Sequence, residues 1–511
     1  MENQLFLETS DNLLLKKDFF SYTFEKNTSV EIRHENGQYF THKELVNLII
    51  DRVKITQDSK VLDPTCGAGA FLIEALHKTS INNIYGVDID KNALTLCEQN
   101  LISKSNIKSK NLFLGDFIKE TFFKKEFFDV IIGNPPFKNL KSNGSDYNPR
   151  HPIYKEALSG VANSATLVLA KSYELLKEDG YLGFVLPKNF LRVDSFKNIR
   201  NLILNKTKII EIIDVDHHFK DVRCDQILLI VQKKKLNFEE QKKHFVKITP
   251  YKKGIILEEQ ESYQIPQSEF FNYSFYPVFY SEETKKLADK LLTIDKNLND
   301  YAQIYRGISI SSSHNSLSKD VNLDKIKCYR GDSIKRFGLK YYLYLDKSKL
   351  QPIEKNKLEK LLKEKIVIQN IFSKEGGIYL NLSKAEEVSL NTVTNIIPNA
   401  GIDPYVLTGI LGSRLSNLFI IYVLFLNSNF TMHTDKAYLG KIPIIIPEGE
   451  IKKQIQEYVK KLLKISDKYS KDFNETYAKL NQIIYQIYGL SKIEIEILED
   501  LLRRVMSKKH G

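Results

Sequence analysis

Between residues 60 and 231 short apolar runs alternate with longer amphipathic stretches. Lys60-Val61-Leu62 closes a first run and meets a Gly-rich turn, after which residues 71–77 have helical spacing. Residues 84–87 form a second apolar run, followed by a helix-like stretch at 91–101, and 112–114 and 130–132 are further short strands. Within 165–177, Leu167, Leu169, Ala170, Tyr173 and Leu176 recur at helical spacing, and 181–186 and 226–231 complete the set. This alternation predicts an α/β fold with a mainly parallel, doubly wound sheet. In such sheets ligands sit outside the carboxyl ends of the strands.

The Lys-rich segment 233–240 ends the alternation and reads as a boundary. Residues 241–450 mix short strands, aromatics and basic residues, a mixed α+β pattern. From Ile451 the pattern turns helical. Ile451, Ile455, Val459, Leu462 and Leu463 make one apolar stripe, and Leu480, Ile483, Ile484 and Ile487 make another, stopped by Gly489 in a C-capping position. The expected parts are therefore 1–240, 241–450 and a helical 451–511. There are no internal repeats. The longest apolar run, 418–426, is far below the ~20 residues of a membrane span and reads as a buried segment.

Composition narrows the class. With 42% hydrophobic and 11% aromatic residues in 511, the chain builds large cores and is not a mainly disordered one. The net charge is +12, unevenly placed: residues 1–240 hold 33 basic and 32 acidic side chains, so the remainder carries +11. That half is suited to phosphates. Cys66, Cys97, Cys224 and Cys328 are far apart and form no CxxC pair, which argues against a disulfide framework and a structural zinc site. The start, MENQLFLETSDNLLLKK, lacks a basic end followed by an apolar core. A cytoplasmic protein with no membrane attachment and no required metal is expected.

The turn Val61-Leu62-Asp63-Pro64-Thr65-Cys66-Gly67-Ala68-Gly69 lies between a strand and a helix, with two glycines that let a ligand approach the backbone. Asp88 ends the next strand, 21 residues after Gly67, where a carboxylate accepts from ribose hydroxyls. Asp116, after the third strand, suits an exocyclic amine, with Phe117 against a purine. The turn lacks a GK[ST] sequence and the third glycine of a dinucleotide fingerprint. Asp63 there would repel a pyrophosphate but suits the cationic methionine end of S-adenosyl-L-methionine.

Asp129-Val130-Ile131-Ile132-Gly133-Asn134-Pro135-Pro136-Phe137 is the most specific motif. An apolar strand runs into two prolines that stop it and fix the backbone. The Asn134 side-chain carbonyl and the Pro135 main-chain carbonyl then offer two acceptors to a planar NH2 group, and Phe137 a ring to stack on its heterocycle. An aromatic amine is a poor nucleophile because its lone pair is conjugated. Two acceptors favour pyramidalisation and stabilise the charge that develops on nitrogen.

The order of these motifs resembles the DNA adenine-N6 methyltransferases of the gamma arrangement, the TaqI-like modification enzymes. The resemblance covers about residues 38–235 well and the C-terminal half loosely. It implies a Rossmann-like S-adenosylmethionine-dependent methyltransferase domain, then a target-recognition domain and C-terminal helices. It assigns Asp63, Cys66, Gly67, Asp88, Ile89, Asp116 and Phe117 to the cofactor, together with Asn134. Gln38-Tyr39-Phe40-Thr41 resembles the family's N-terminal cofactor motif and puts Thr41 near the methionine end. His42 follows where the family usually has proline, and Phe137 replaces the commoner tyrosine. Asn134, Pro135, Pro136 and Phe137 are the implied catalytic residues. The resemblance places Phe196 as a second aromatic on an extruded base, with Phe190 competing.

A base inside a duplex cannot reach a methyl donor in a cleft, so such an enzyme flips the adenine out and grips the flanking duplex. The basic half meets that need, with Arg306, Arg330, Lys335, Arg336 and Lys340 as the candidate DNA-binding side chains of the target-recognition domain. The expected partner is double-stranded DNA. A separate cognate restriction endonuclease and a solitary methylase are both open, and a fused nuclease is not expected in the ~40 residues before Gln38. RNA or protein glutamine amides are the alternative substrates of an NPPF site. Cytosine N4 is a further DNA alternative, and a non-catalytic specificity protein comes last.

Overall fold

The computed structural model describes residues 41–506 except 142–144, 216–224, 253–254, 257–261, 280, 312, 321–323 and 429–431. The segment Gln38-Tyr39-Phe40, the N-terminal 40 residues and Cys224 therefore lie outside the described residues. The chain divides into two compact units, residues 1–280 and 281–511.

The first unit is built on one ten-stranded sheet. In chain order its elements are α1 (Lys43–Ile50), β1 (Val61–Asp63), α2 (Ala70–Ala75), β2 (Ile84–Asp88), α3 (Lys91–Ser105), β3 (Leu112–Leu114) and β4 (Phe128–Gly133). There follow α4 (Pro152–Ala157), α5 (Ser164–Leu175), β5 (Leu176–Pro187), α6 (Lys197–Lys206), β6 (Lys208–Asp214), β7 (Gln226–Gln232), α7 (Phe238–Lys243), β8 (Phe245–Lys252), β9 (Ile255–Ile256) and β10 (Tyr263–Pro266). The strand order is β10-β8-β6-β7-β5-β4-β1-β2-β3, with β9 beside β8. Strands β1 to β5 are mutually parallel where they pair, and β7 runs antiparallel between β5 and β6.

The chain moves outward from β1 in one direction through β2 and β3, then returns to β4 and moves the other way. Right-handed crossovers in opposite directions place their helices on opposite faces, which is the doubly wound arrangement. One face carries α1, α2 and α3 on a core that includes Val61, Ile84, Val130, Ile132, Val185 and Ile230. The strand β7, Gln-Ile-Leu-Leu-Ile-Val-Gln, is apolar almost throughout because both its faces are covered.

Two boundaries differ from the sequence expectation. Strand β8 pairs in parallel with β6 and β10 pairs with β8, so the sheet continues past residue 240 and the unit runs to 280. Helix–strand periodicity did not signal this because β8 is reached through the short α7 rather than a long amphipathic helix. The 451–511 helices are also part of one compact unit with residues 281–450.

That second unit has an antiparallel sheet in the order Ala302–Arg306, Val393–Pro398, Lys365–Gln369 and Leu380–Ser383, and a smaller mixed one containing Ile326–Tyr329 and Leu343–Leu345. Helices Gly449–Lys464, Lys471–Ile487 and Lys492–Met506 follow. The first buries Ile455, Val459 and Leu462, and the second buries Leu480 and Ile484, the stripes expected from spacing. Gly489, at φ +61°, stands just beyond the second helix. The apolar run 418–426 is buried as the end of a helix and a π-helical turn. Among the described residues no single helix is long and apolar enough to cross a membrane.

Candidate functional site

The sheet order reverses between β1 and β4, and the candidate residues gather at the carboxyl ends of the strands around that point. Asp63 ends β1, Asp88 ends β2, Asp116 follows β3, and Asn134 follows β4. Crevices of this kind form where neighbouring connections leave in opposite directions.

The β1–α2 turn is tied down by main-chain bonds. The Cys66 amide donates to Val87 O at 2.9 Å, and the Gly69 amide to Cys66 O at 2.8 Å. Gly69 caps α2 in the left-handed region at φ +88°, and a Cβ on it would lie 2.7 Å from Cys97 Sγ. Gly67 is also left-handed at φ +52°, and its amide donates to Asp88 Oδ2 at 2.7 Å. Asp88 Oδ1 accepts from the Asp90 amide at 2.8 Å. The Asp88 carboxylate is thus fixed by two main-chain donors, and each oxygen retains acceptor capacity for a ligand hydroxyl. Burial pushes its pKa up.

Asp63 is 1% exposed, and its Oδ1 accepts from the Thr65 amide at 3.0 Å. Burial pushes its carboxyl up to about 8, the Thr65 amide opposes this, and the Asp88 charge adds to it. A buried carboxyl group beside a second one favours a cationic ligand group over a phosphate. Cys66 presents main chain rather than a reactive thiol. Its side chain is buried and hydrogen-bonded with Cys97, and both effects raise its pKa well above the ordinary range.

Ile89 is 68% exposed directly after Asp88, an apolar face beside a polar anchor. Asp116 Oδ1 accepts from the Ile118 amide at 2.9 Å. Phe117 is buried, with Lys171 Nζ 4.9 Å from its ring centroid.

At the end of β4 the two prolines stop the strand as expected. The backbone at Gly133 passes so close to β1 that a Cβ would lie 2.7 Å from Asp63 Oδ1. Asn134 Nδ2 donates to Thr41 Oγ1 at 3.1 Å, which brings the N-terminal motif residue to the NPPF turn. Asn134 Oδ1 is buried and has no hydrogen-bond partner among the described residues. A buried acceptor left unpaired is costly, and such an atom in a strand-end crevice marks a place for a donor. Pro135 is buried, and Pro136 and Phe137 are half-buried.

Sequence reasoning missed three supporting residues. The Ser164 hydroxyl, at the start of α5, donates to Pro136 O and accepts from the Lys138 amide at 2.9 Å. Tyr154 and Lys171 donate to carbonyls of the 117–120 turn. The available signal was a lysine, Lys171, directly after the largely apolar run 165–170 in a helix that is buried on nearly every side.

Phe196 is not set out as an open stacking ring. It is 4% exposed and packs on Phe190 with ring centroids 5.6 Å apart, while Phe190 is 1% exposed and also meets Tyr276. Both rings are core residues, since the same apolar face that suits a base suits another ring.

The basic candidates of the second unit are mostly engaged. Arg306 forms a fork on Asp435, Nε to Oδ1 at 2.8 Å and Nη2 to Oδ2 at 3.2 Å, and reaches Asn370 Oδ1 at 2.8 Å. Arg330 pairs with Asp332 at 3.3 Å, and Lys335 donates to Ser466 O at 3.2 Å. The Arg336 guanidinium lies over the Tyr477 ring at 4.6 Å. Lys340 is exposed. Among the described residues no cluster of three or more His, Cys, Asp or Glu side chains forms a metal site.

Residues 15–327 match the model of the N-6 DNA methylase family, and residues 326–444 match that of the TaqI-like C-terminal specificity domain. The chain is similar to the type II methyltransferase M.VspI of Vibrio sp. (strain 343), 28% identical over 213 residues, 41% of this chain and 51% of that protein. It is also similar to the type II restriction enzyme and methyltransferase RM.Eco57I of Escherichia coli, 24% identical over 339 residues, 51% of this chain and 32% of that one. The chain thus spans about half of the first relative's length and a third of the second's. Among solved structures, the type IIL restriction-modification enzyme MmeI in complex with DNA shares the fold. Its TM-score is 0.59 at 13% identity, over 98% of this chain and 78% of that one.

Proposed function

The chain belongs to the N-6 DNA methylase family, and from that membership we propose that it transfers a methyl group from S-adenosylmethionine to the N6 amine of adenine in duplex DNA. The observation that carries the reading is the buried, unpartnered Asn134 Oδ1 at the end of β4, beside the carboxyl groups that end β1 and β2.

The residues present fit the cofactor. Asp88, held by the Gly67 and Asp90 amides, receives the ribose hydroxyls, and Ile89 covers one side of the purine. Asp116 accepts from the exocyclic amine. Asp63, with Thr41 nearby on Asn134, faces the cationic amino-acid end. When bound, S-adenosylmethionine supplies a methyl group already activated on a sulfonium sulfur, so no covalent enzyme intermediate is required.

The chain's own part is orientation and electrostatics. Asn134 Oδ1 and Pro135 O accept the two hydrogens of the amine and turn its nitrogen lone pair out of conjugation. They also stabilise the positive charge that grows on nitrogen during attack. Phe137 stacks on the base, which is extruded at a cost of a few kcal/mol. The Asn134 amide nitrogen donates to Thr41 Oγ1, which leaves its oxygen for the substrate. The second unit supplies the grip on DNA. The cellular role that fits this activity is that of a DNA modification enzyme, either the partner of a separate restriction endonuclease or a solitary methylase.

The test is transfer of labelled methyl groups to genomic DNA, with modified bases mapped individually. N6-methyladenine at one short motif is the expected result. Label in RNA or protein with none in DNA would overturn the proposal.

A further inference from the structure

The helix α5 touches both working loops of this site, at residues seven apart. At its first turn Ser164, 3% exposed, holds the NPPF turn at three points. Its hydroxyl donates to Pro136 O and accepts from the Lys138 amide, and its own amide donates to Lys138 O at 2.8 Å. Two turns later Lys171, 7% exposed, donates from Nζ to Phe117 O at 2.5 Å and to Glu120 O at 2.5 Å. Tyr154 of α4 completes this second clamp, donating to Ile118 O at 2.8 Å. The 116–120 turn carries Asp116 and Phe117. Every one of its carbonyls named here accepts from a buried side chain.

A spacing of seven puts Ser164 and Lys171 on one face of a helix, about 10 Å apart along its axis. A buried ammonium is expensive unless its donors are used. Burial lowers the Lys171 pKa, and the Asp116, Glu174 and Glu120 charges offset part of that. A lysine retained at this cost, aimed at the main chain of a turn, fixes that turn more stiffly than an apolar contact would.

Resting on the function proposed above, we infer that α5 is a strut that sets the distance between the nucleoside pocket and the base-acceptor turn, with Lys171 the positioning residue for the adenine end of the cofactor and Ser164 that for the NPPF turn. Methyl transfer needs donor and acceptor aligned to within a fraction of an ångström, and one rigid helix holding both loops supplies that alignment.

The experiment separates the two ends by titration calorimetry and steady-state kinetics on the full chain. Lys171→Met should weaken S-adenosylmethionine binding on the order of 10-fold, the scale of a lost charge-assisted hydrogen bond. It should weaken 5′-methylthioadenosine, which lacks the amino-acid end, by the same factor, and should lower kcat at saturating cofactor by less than it lowers affinity. In an Asp116→Ala background the Lys171 effect should shrink, because both act through one turn. Ser164→Ala should do the converse, lowering kcat on the order of 10-fold with cofactor affinity unchanged. Lys171→Gln keeps a donor and should fall between Met and wild type, and it carries the test if the Met variant does not fold. Unchanged cofactor affinity in a folded Lys171 variant overturns the inference. So do Ser164 and Lys171 variants that shift affinity and kcat together by equal factors, the mark of general loosening. If the wild-type chain binds S-adenosylmethionine and methylates DNA while this split is absent, the inference alone fails. If the wild type does neither, the proposed function fails and the inference with it.

Discussion

At the scale of single residues, the proposed site rests on two groups. Asn134 Oδ1 is an acceptor held in place with nothing to accept from among the described residues. Replacing Asn134 with Ala should lower kcat by about 10²–10³-fold, the effect of removing one preorganised polar group at a developing charge. S-adenosylmethionine affinity, measured by calorimetry, should fall far less. Asp63 is a carboxyl group kept protonated to about pH 8 by burial. The unfolded chain ionises it near its ordinary pKa of 3.8, so between there and about 8 the unfolded state is favoured progressively as pH rises. The Asp63 contribution to stability is therefore largest in acid and lost as pH climbs through about 8. Asp63→Asn should remove that slope from thermal melting curves recorded from pH 4 to pH 8, and should weaken cofactor binding most above pH 8, where the native carboxylate is charged. The identities of Asn134, Asp63 and Asp88 were legible from the chain because prolines, glycines and strand ends leave local signatures. The burial of Phe196 was not, because a phenylalanine after a turn has the same sequence whether it faces a cleft or a core.

At the scale of elements, β4 is the piece on which the site depends. Its last residue, Gly133, lets the strand pass against Asp63 with no side chain between them. Gly133→Ala should cost about 1–3 kcal/mol of stability, the usual range for overpacking, and should disturb both the carboxyl group and the NPPF turn. Chemical denaturation together with cofactor titration would measure the two effects, and an unchanged midpoint would contradict the close approach. Periodicity located β2, β3, β4 and the two C-terminal helices to within a few residues, since each buries one face or both against a large core. It missed α1, whose eight residues bury Leu45, Val46, Leu48, Ile49 and Ile50. It also ended the catalytic sheet one connection early, because β8 and β10 are added at an edge by pairing partners remote in sequence.

At the scale of the whole chain, charge and fold divide the work. The first 240 residues are nearly neutral and the remainder carries the excess of +11. DNA affinity should fall steeply with salt, and a flat log–log plot would remove the basic half from the binding account. The fold also ranks the basic residues. Lys340 is exposed, so Lys340→Ala should reduce the salt slope by about one and leave stability unchanged. Arg306, forked on Asp435, and Arg336, over Tyr477, are tied into their own unit. Their alanine variants should lower the melting temperature more than they alter the slope.

The chain by itself determined the alternating architecture, the Gly-rich turn after β1, the NPPF turn after β4 and the asymmetry of charge. Each of these is written in residues adjacent in sequence, where backbone limits on proline and glycine and the spacing of apolar positions act locally. Tertiary structure decided which atoms are left without partners, which cations are already paired, and how Ser164 and Lys171 reach two loops from one helix. Those outcomes depend on contacts between residues 28 to 129 positions apart. A hydrogen bond satisfied or left open across such separations is set by packing, and packing is a property of the folded whole.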